Sequence, residues 1–254
     1  MSRDLGELEL GPGDALFLDF DGTLAELRDD PDAVRLDAGT EAALIRLAEA
    51  LGGALAMLSG RDIRDLDRRT PRGVWRAGGH GLEVAAPGEI PPPTPGGPVA
   101  DILARLEARV AEFPGARVEV KGPIMAIHYR AAPEAGETLI AAAKAEAERS
   151  EDHVAQAGHM VVEVKPAIAN KGRALAALAA RAPFAGRRTV MIGDDTTDED
   201  AIVAALGLGG VGVWVGDGES AAGYRAKDPA EVRAWIAREA DRLGDSLPRR
   251  PCGA

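Results

Sequence analysis

Cysteine is almost absent from this chain: one in 254 residues, Cys252, and it falls in the terminal PRRPCGA. A disulfide framework within one chain is thereby excluded, which fits a reducing compartment. Cys252 itself reads as an incidental residue of a flexible tail. Long apolar runs are missing too, and none approaches the roughly 20 residues needed to cross a bilayer. The opening MSRDLGELELGPGD is acidic and lacks the basic-then-apolar order of a secretory leader, so a cytoplasmic location is expected. Positive charge is in deficit, with 30 Lys and Arg against 41 Asp and Glu and a net charge of -11. That balance argues against nucleic acid or an anionic membrane as the main partner. What remains, 46% hydrophobic and 28% charged, suits one large domain or two unequal ones with a core that needs no staples.

The order of patterns along the chain predicts an α/β fold with an insertion. The run ALFLDF at 15–20 ends in an acid before Gly22 and reads as a buried strand feeding a loop. TEAALIRLAEAL at 40–51 has helical spacing, with Thr40 as a plausible N-cap. ALAML at 54–58 is a second buried strand, followed by helix-like DIRDLDRR and a third strand, VWRAG, at 74–78. Strands alternating with amphipathic helices argue for a parallel sheet covered on both faces. Between about Pro87 and Pro98 the segment EIPPPTPGGP holds neither helix nor central strand and reads as a linker. A different order follows: a helix, a hairpin-like pair (ARVEV and IMAIHYR), an alanine-rich helix, and two short strands, HVAQA and HMVVEV. That is the signature of a small antiparallel α+β unit. From Asn170 the first pattern resumes. The expected division is a core over 1–86 and 170–245, an insertion over 87–169, and a tail over 246–254.

Two acidic clusters stand at the ends of apolar strands. Asp19-Phe20-Asp21-Gly22-Thr23 closes the first, and GDDTTDED at 193–200 follows VMI. In an open parallel sheet, ligands bind just beyond the carboxyl ends of the strands. Carboxylates held this close repel one another, which favours a bound cation or a raised pKa on one of them. Oxygen ligands of this kind suit Mg²⁺. The second cluster alone also reads as an acidic helix start with Thr196 or Thr197 as cap. Lys171, in Asn170-Lys171-Gly172, opens a helix, the end where a cation is disfavoured unless an anion compensates. Ser59-Gly60-Arg61 offers a hydroxyl and loop amides at another strand end. An ionised aspartate can attack phosphorus directly, given charge compensation from Mg²⁺ and Lys171. A neighbouring acid, Asp21, is placed to protonate the leaving oxygen and later to take a proton from water.

These four segments, in this order, resemble the haloacid dehalogenase-like (HAD) superfamily. The resemblance implies a Rossmann-like parallel-sheet core with an inserted α+β cap domain that closes over small substrates. It implies Asp19 as nucleophile, Asp21 as acid and base, and Ser59 and Lys171 as phosphate binders. Mg²⁺ would then be held by Asp19, the backbone of Asp21 and Asp194, with Asp198 in support. The finer spelling is similar to the trehalose-6-phosphate phosphatases, in FLDFDGTLAEL, LSGRD, GGHGLEV, VEVKGPIMAIHYR, VVEVKP with NKG, and GDDTTDED. It departs at Ala201-Ile202, where the family pattern has an aromatic at a packing position.

Period-two alternation in the insertion puts Arg117, Glu119 and Lys121 on one strand face, and Glu163 and Lys165 on another, opposite the valines. His128 and Arg130 alternate with Ile127 and Tyr129 in the same way. This polar face reads either as solvated with cross-strand ion pairs or as a reader of sugar hydroxyls. By the resemblance, Glu119, Lys121 and Glu163 are sugar contacts, and Thr23, Gly60, Arg61 and Arg130 also belong to the substrate side. His80 reads either as a core–cap boundary residue or as a structural loop histidine. The implied reaction is hydrolysis of trehalose 6-phosphate, with a trehalose-6-phosphate synthase as a partner in the same pathway. Hydrolysis of sucrose phosphate or a glucosylglycerate phosphate shares the same core. So does a phosphomutase that returns the phosphoryl group to sugar. A silent sensor is disfavoured because Asp19, Asp21 and Lys171 are all present.

Overall fold

Two apolar runs that end in acids, one before Asp19 and one before Asp194, become neighbouring strands at the centre of a sheet. A computed structural model of the chain describes residues 2–28, 30–93, 96–158 and 160–245. Cys252, the expected tail 246–254 and His159, the first residue of one expected strand, lie outside the described residues.

The first core segment holds β1 (Arg3–Asp4), β2 (Asp14–Leu18), α1 (Ala38–Ala50), β3 (Leu55–Leu58), α2 (Ile63–Asp67), β4 (Trp75–Gly78) and β5 (Glu83–Ala85). The insertion holds α3 (Ala100–Val110), β6 (Arg117–Lys121), β7 (Ile124–His128), α4 (Gly136–Glu148), β8 (His153–Gly158) and β9 (Val161–Pro166). The chain then returns as α5 (Lys171–Ala179), β10 (Arg188–Gly193), α6 (Thr196–Gly207), β11 (Val211–Val215), β12 (Tyr224–Ala226) and α7 (Pro229–Gly244).

Among the described residues the larger sheet has eight strands, ordered β1-β12-β11-β10-β2-β3-β4-β5. All pair in parallel except β5, which turns back antiparallel on β4, so the expected parallel sheet is a mixed one. Every residue of β2 is buried, on both faces, which is why its sequence is a continuous apolar run rather than an alternation. Helices α1 and α7 pack together, as do α5 and α6. Helix α1 begins two residues before the expected Thr40, because Asp37 is the cap and accepts from the Thr40 N–H at 2.9 Å. An aspartate with free backbone donors one turn ahead outcompetes a threonine already inside the helix.

The smaller sheet is antiparallel, ordered β6-β7-β9-β8. Its apolar face (Met125, Ile127, Val162, Val164) packs on Ile102 and Leu106 of α3 and Leu139 and Ala143 of α4. The expected linker is tied to the core at its start: Arg76 donates to the carbonyls of Ala86 and Glu89, both at 2.9 Å, and Arg64 to that of Pro92 at 2.8 Å. No helix among the described residues is long and apolar enough to cross a membrane.

Candidate active site

The chain order leaves β2 for β3 on one side and enters β10 on the other, so the sheet switches direction between these two strands. A crevice at their carboxyl ends is the favoured ligand position in such a sheet. Asp19 follows β2, its N–H donating to the Ile192 carbonyl of β10 at 3.0 Å, and Asp194 follows β10. Gly22, at φ 84°, runs so close to Asp194 that a Cβ would lie 2.1 Å from Asp194 Oδ2. Only glycine meets both demands. The Thr23 hydroxyl, fully buried, donates to Asp194 Oδ1 at 2.9 Å. Thr23 thus stands behind Asp194 and does not line the cavity, where its expected place among the substrate contacts would put it. Sequence gives the hydroxyl but not its direction.

Lys171 resolves the puzzle of a cation at a helix start. Its Nζ donates to Asp19 Oδ1 at 2.6 Å and Asp198 Oδ1 at 2.7 Å, with all three side chains buried. Burial works against its charge, but Asp19 and Asp198 hold the ammonium protonated far above the ordinary lysine range. The other oxygen of Asp198 accepts from the amides of Asp194 and Asp195 at 3.2 and 3.1 Å. Asp195, not Thr196 or Thr197, caps α6, in a capping box with Asp198.

Asp19, Asp194 and Asp198 each bring a carboxylate oxygen within 4.8 Å of the others. Burial, and then the charge of Asp198, raise the pKa of Asp19 well above normal and push that of Asp194 up to about 7. A ring of buried oxygens that resists its own ionisation fits a hard divalent cation, which would relieve the repulsion. Asp19 and Asp194 are the fitting direct ligands. Asp198, with both oxygens occupied, braces Lys171 and the loop.

Asp21 is held by Arg61 through two hydrogen bonds of 2.6 and 2.7 Å, and Arg61 also donates to Asp65 at 2.7 Å. Ser59 is buried, and its Oγ accepts from the Arg61 N–H at 3.1 Å. His80 sits in the left-handed region (φ 56°, ψ 29°), its N–H bonded to the Ser59 carbonyl at 2.9 Å. Its ring lies over Gly60, where any Cβ would come within 2.7 Å of Cε1. A strained non-glycine residue aimed by its neighbours is the mark of a positioned side chain.

The polar face of the smaller sheet stands opposite. Registry sets Glu119, Ala126, Glu163 and Gln156 in one row across its four strands, with Arg117, His128, Val161 and Gly158 in the next. His128 Nε2 bonds Glu119 at 2.7 Å, and His80 Nε2 bonds Glu163 at 2.7 Å, joining the two sheets. The His128 contact first, and Lys121 with it, keep Glu119 ionised below the usual carboxylate range. Glu163 is ionised too: burial opposes its charge, but His80, Lys121 and Lys165 hold it far below that range.

Between the two walls lies a cavity of about 1060 Å³. It brings together Asp19, Asp21, Ser59, Gly60, Arg61, His80, Glu119, Lys121, Arg130, Glu163, Lys171, Asp194 and Asp198, which is every expected site residue except Thr23. Sequence reasoning missed Leu27, Arg28 and Asp62 on the core side and Gln156, Gly158 and Met160 on the other. For Gln156 the alternation of β8 carried the signal.

A family model described as Trehalose-phosphatase matches residues 17–225. The chain belongs to the trehalose-phosphatase family. It is 38% identical over 239 residues to the trehalose-6-phosphate phosphatase of Escherichia coli K12, covering 90% of this chain and 87% of that one. A probable trehalose-phosphate phosphatase of Sinorhizobium fredii is 41% identical over 207 residues, 80% and 77% of the two chains. In structure, this trehalose-phosphatase family member is similar to the C-terminal domain of the Candida albicans trehalose-6-phosphate phosphatase. The TM-score is 0.80 over 95% of this chain and 98% of that one, at 19% identity. The same α/β fold is seen in a HAD subclass IIB sugar phosphatase, with a TM-score of 0.61 at 15% identity over 91% of this chain and 99% of that one. Ala201 and Ile202, the expected departure from the family pattern, are fully buried.

Proposed function

We propose that the enzyme hydrolyses trehalose 6-phosphate to trehalose and phosphate. The observation that carries this reading is one cavity with two chemically different walls. The core wall bears Asp19, Asp21, Lys171 and Asp194, and the facing wall bears Glu119, Lys121 and Glu163. The insertion acts as a cap domain, a lid for the phosphatase core.

Asp19 attacks phosphorus, and the bond to the sugar oxygen breaks as an aspartyl phosphate forms. Asp21, released from Arg61 as substrate enters, takes up a proton from solvent and gives it to the departing sugar oxygen. It then takes a proton from a water that attacks the aspartyl phosphate, and inorganic phosphate leaves. Lys171 and the Ser59–Gly60 loop bind phosphoryl oxygens. Mg²⁺, held by Asp19, Asp194 and the Asp21 main chain, would supply neutralisation of the phosphate charge. That local charge answers a net charge of -11, which otherwise repels the substrate. Carboxylates and a lysine on the facing wall pair with sugar hydroxyls as acceptors and donors.

The test is phosphate release from trehalose 6-phosphate, sucrose 6-phosphate, a glucosylglycerate phosphate and glucose 6-phosphate, with Mg²⁺ or with chelator, for wild type and Asp19→Asn. Strong preference for trehalose 6-phosphate, lost with chelator and in the variant, is expected. Metal-dependent release from the others but not from trehalose 6-phosphate would overturn the substrate while keeping the chemistry. A phosphomutase would show as phosphate transfer to added sugar without net release.

A further inference from the structure

Four side-chain nitrogens among the described residues are buried without a hydrogen bond: Arg76 Nε, His80 Nδ1, Lys165 Nζ and Trp214 Nε1. Arg76 and His80 bond through their other nitrogens, and Trp214 is neutral. Lys165 is different. It leaves an entire ammonium group unbonded at 1% exposure. Burying a charge without hydrogen bonds is among the costliest arrangements in a protein. A methionine of nearly the same shape would avoid the cost, so the charge itself is the useful part.

Lys165 Nζ stands 3.9 Å from Glu163 Oε2, close enough to share charge and too far to occupy a lone pair. Glu163 has two other partners, His80 at 2.7 Å and Lys121 at 4.0 Å, and both of these line the cavity. A ligand competes for both. Lys165 shares the strand face of Glu163, yet it is buried and does not line the cavity, out of a ligand's reach. We infer that Lys165 is a positioning residue for sugar recognition: it keeps Glu163 ionised while leaving its oxygens free to accept from sugar hydroxyls. This rests on Glu163 being a sugar contact, as proposed above.

The surroundings set a pH range for the device. Burial lowers the Lys165 pKa to about 8, with Glu163 opposing and Lys171 adding to the fall. The charged groups that face it are Glu163 on its own strand, Lys171 from α5, Asp195 at the cap of α6 and Asp200 within that helix. His80 and Lys121 face it across Glu163. Burial lowers the His80 pKa below the usual 6.5, and Lys171 is held high, so neither changes charge near pH 8. Above about pH 8 Lys165 loses its proton, and the hold on Glu163 weakens.

The experiment compares wild type, Lys165→Met and Lys165→Arg on trehalose 6-phosphate and on p-nitrophenyl phosphate, which has no sugar to read. In Lys165→Met the ratio of kcat/KM on the sugar phosphate to that on the aryl phosphate falls about tenfold or more, through KM. Tm does not fall, and the rise in KM above about pH 8 disappears. Lys165→Arg keeps the charge at every pH and restores the ratio. An unchanged ratio in Lys165→Met overturns the inference. So does an equal loss on both substrates with a lower Tm, which marks a structural lysine. If wild type prefers another sugar phosphate, the substrate reading fails separately, and the ratio taken on the preferred sugar decides the role of Lys165.

Discussion

Arg61 grips both carboxylate oxygens of Asp21, Nε to Oδ2 at 2.6 Å and Nη2 to Oδ1 at 2.7 Å. Before substrate enters, the fork fixes the carboxylate plane in a way that a single ammonium cannot, so that Asp21 is already oriented when it is released. Arg61→Lys is therefore expected to lower kcat/KM for the sugar phosphate by roughly 10- to 100-fold. Steady-state kinetics on the purified variant checks this, and activity equal to wild type would show that Asp21 needs no such guide.

Gly22 separates the two acid-bearing loops. In Gly22→Ala the new methyl collides with Asp194, and the backbone is strained at φ 84° as well. Activity should fall at least about 100-fold, with a higher Mg²⁺ concentration needed for half-maximal rate. A metal titration of activity reads this directly.

The carboxylate ring makes stability depend on pH in a defined direction. Asp19 and Asp194 have raised pKa values in the folded chain, so the native state binds more protons than the unfolded one. Their contribution is complete below the ordinary carboxylate range and is lost as pH rises, through about 7 for Asp194. With chelator, Tm should drop by roughly 5 °C or more between pH 5 and pH 8. Excess Mg²⁺ should flatten the slope, because ligation favours the ionised acids. Parallel melting curves with and without metal would sink this expectation if they coincided.

Glu119 and Glu163 lie in one row on the cavity side of the smaller sheet. Replacing either with Gln removes a charged acceptor and should raise KM for trehalose 6-phosphate by about 10-fold or more. The rate on p-nitrophenyl phosphate reports whether the core is intact. Glu163→Gln should have the larger effect, since that carboxylate is the more buried and also bonds His80 across the two sheets.

Much of this site is legible in the chain because its chemistry sits at ends of elements. Asp19 and Asp194 each end an apolar strand, and Lys171 opens a helix where a cation is out of place. Period two shows which residues of the facing wall share a face, but leaves open whether that face is solvated or turned to a ligand. What the sequence conceals is direction and distance. His80 and Glu163 are 83 positions apart, and nothing local joins them. Thr23 could point either way from its turn. Lys165 falls on a polar face by alternation, and a lysine on such a face reads as solvated, not buried. Strands β1, β5 and β12 span only two or three residues, too short for any alternation to register. Thr40 and Asp37 are both good caps, and only the start of the helical turn decides between them.

The placement of β10 beside β2 governs how the chain comes to life. Its register joins Arg188 to Asp14 and Ile192 to Leu18, across the whole inserted layer. During synthesis the smaller sheet, complete by residue 166, emerges before the strand that brings Asp194. Until then β2, apolar along its entire length, presents an open edge to whatever strand it meets. The newborn chain therefore has one wall of its cavity before the other is complete, and its most adhesive edge is shielded only when the last third leaves the ribosome.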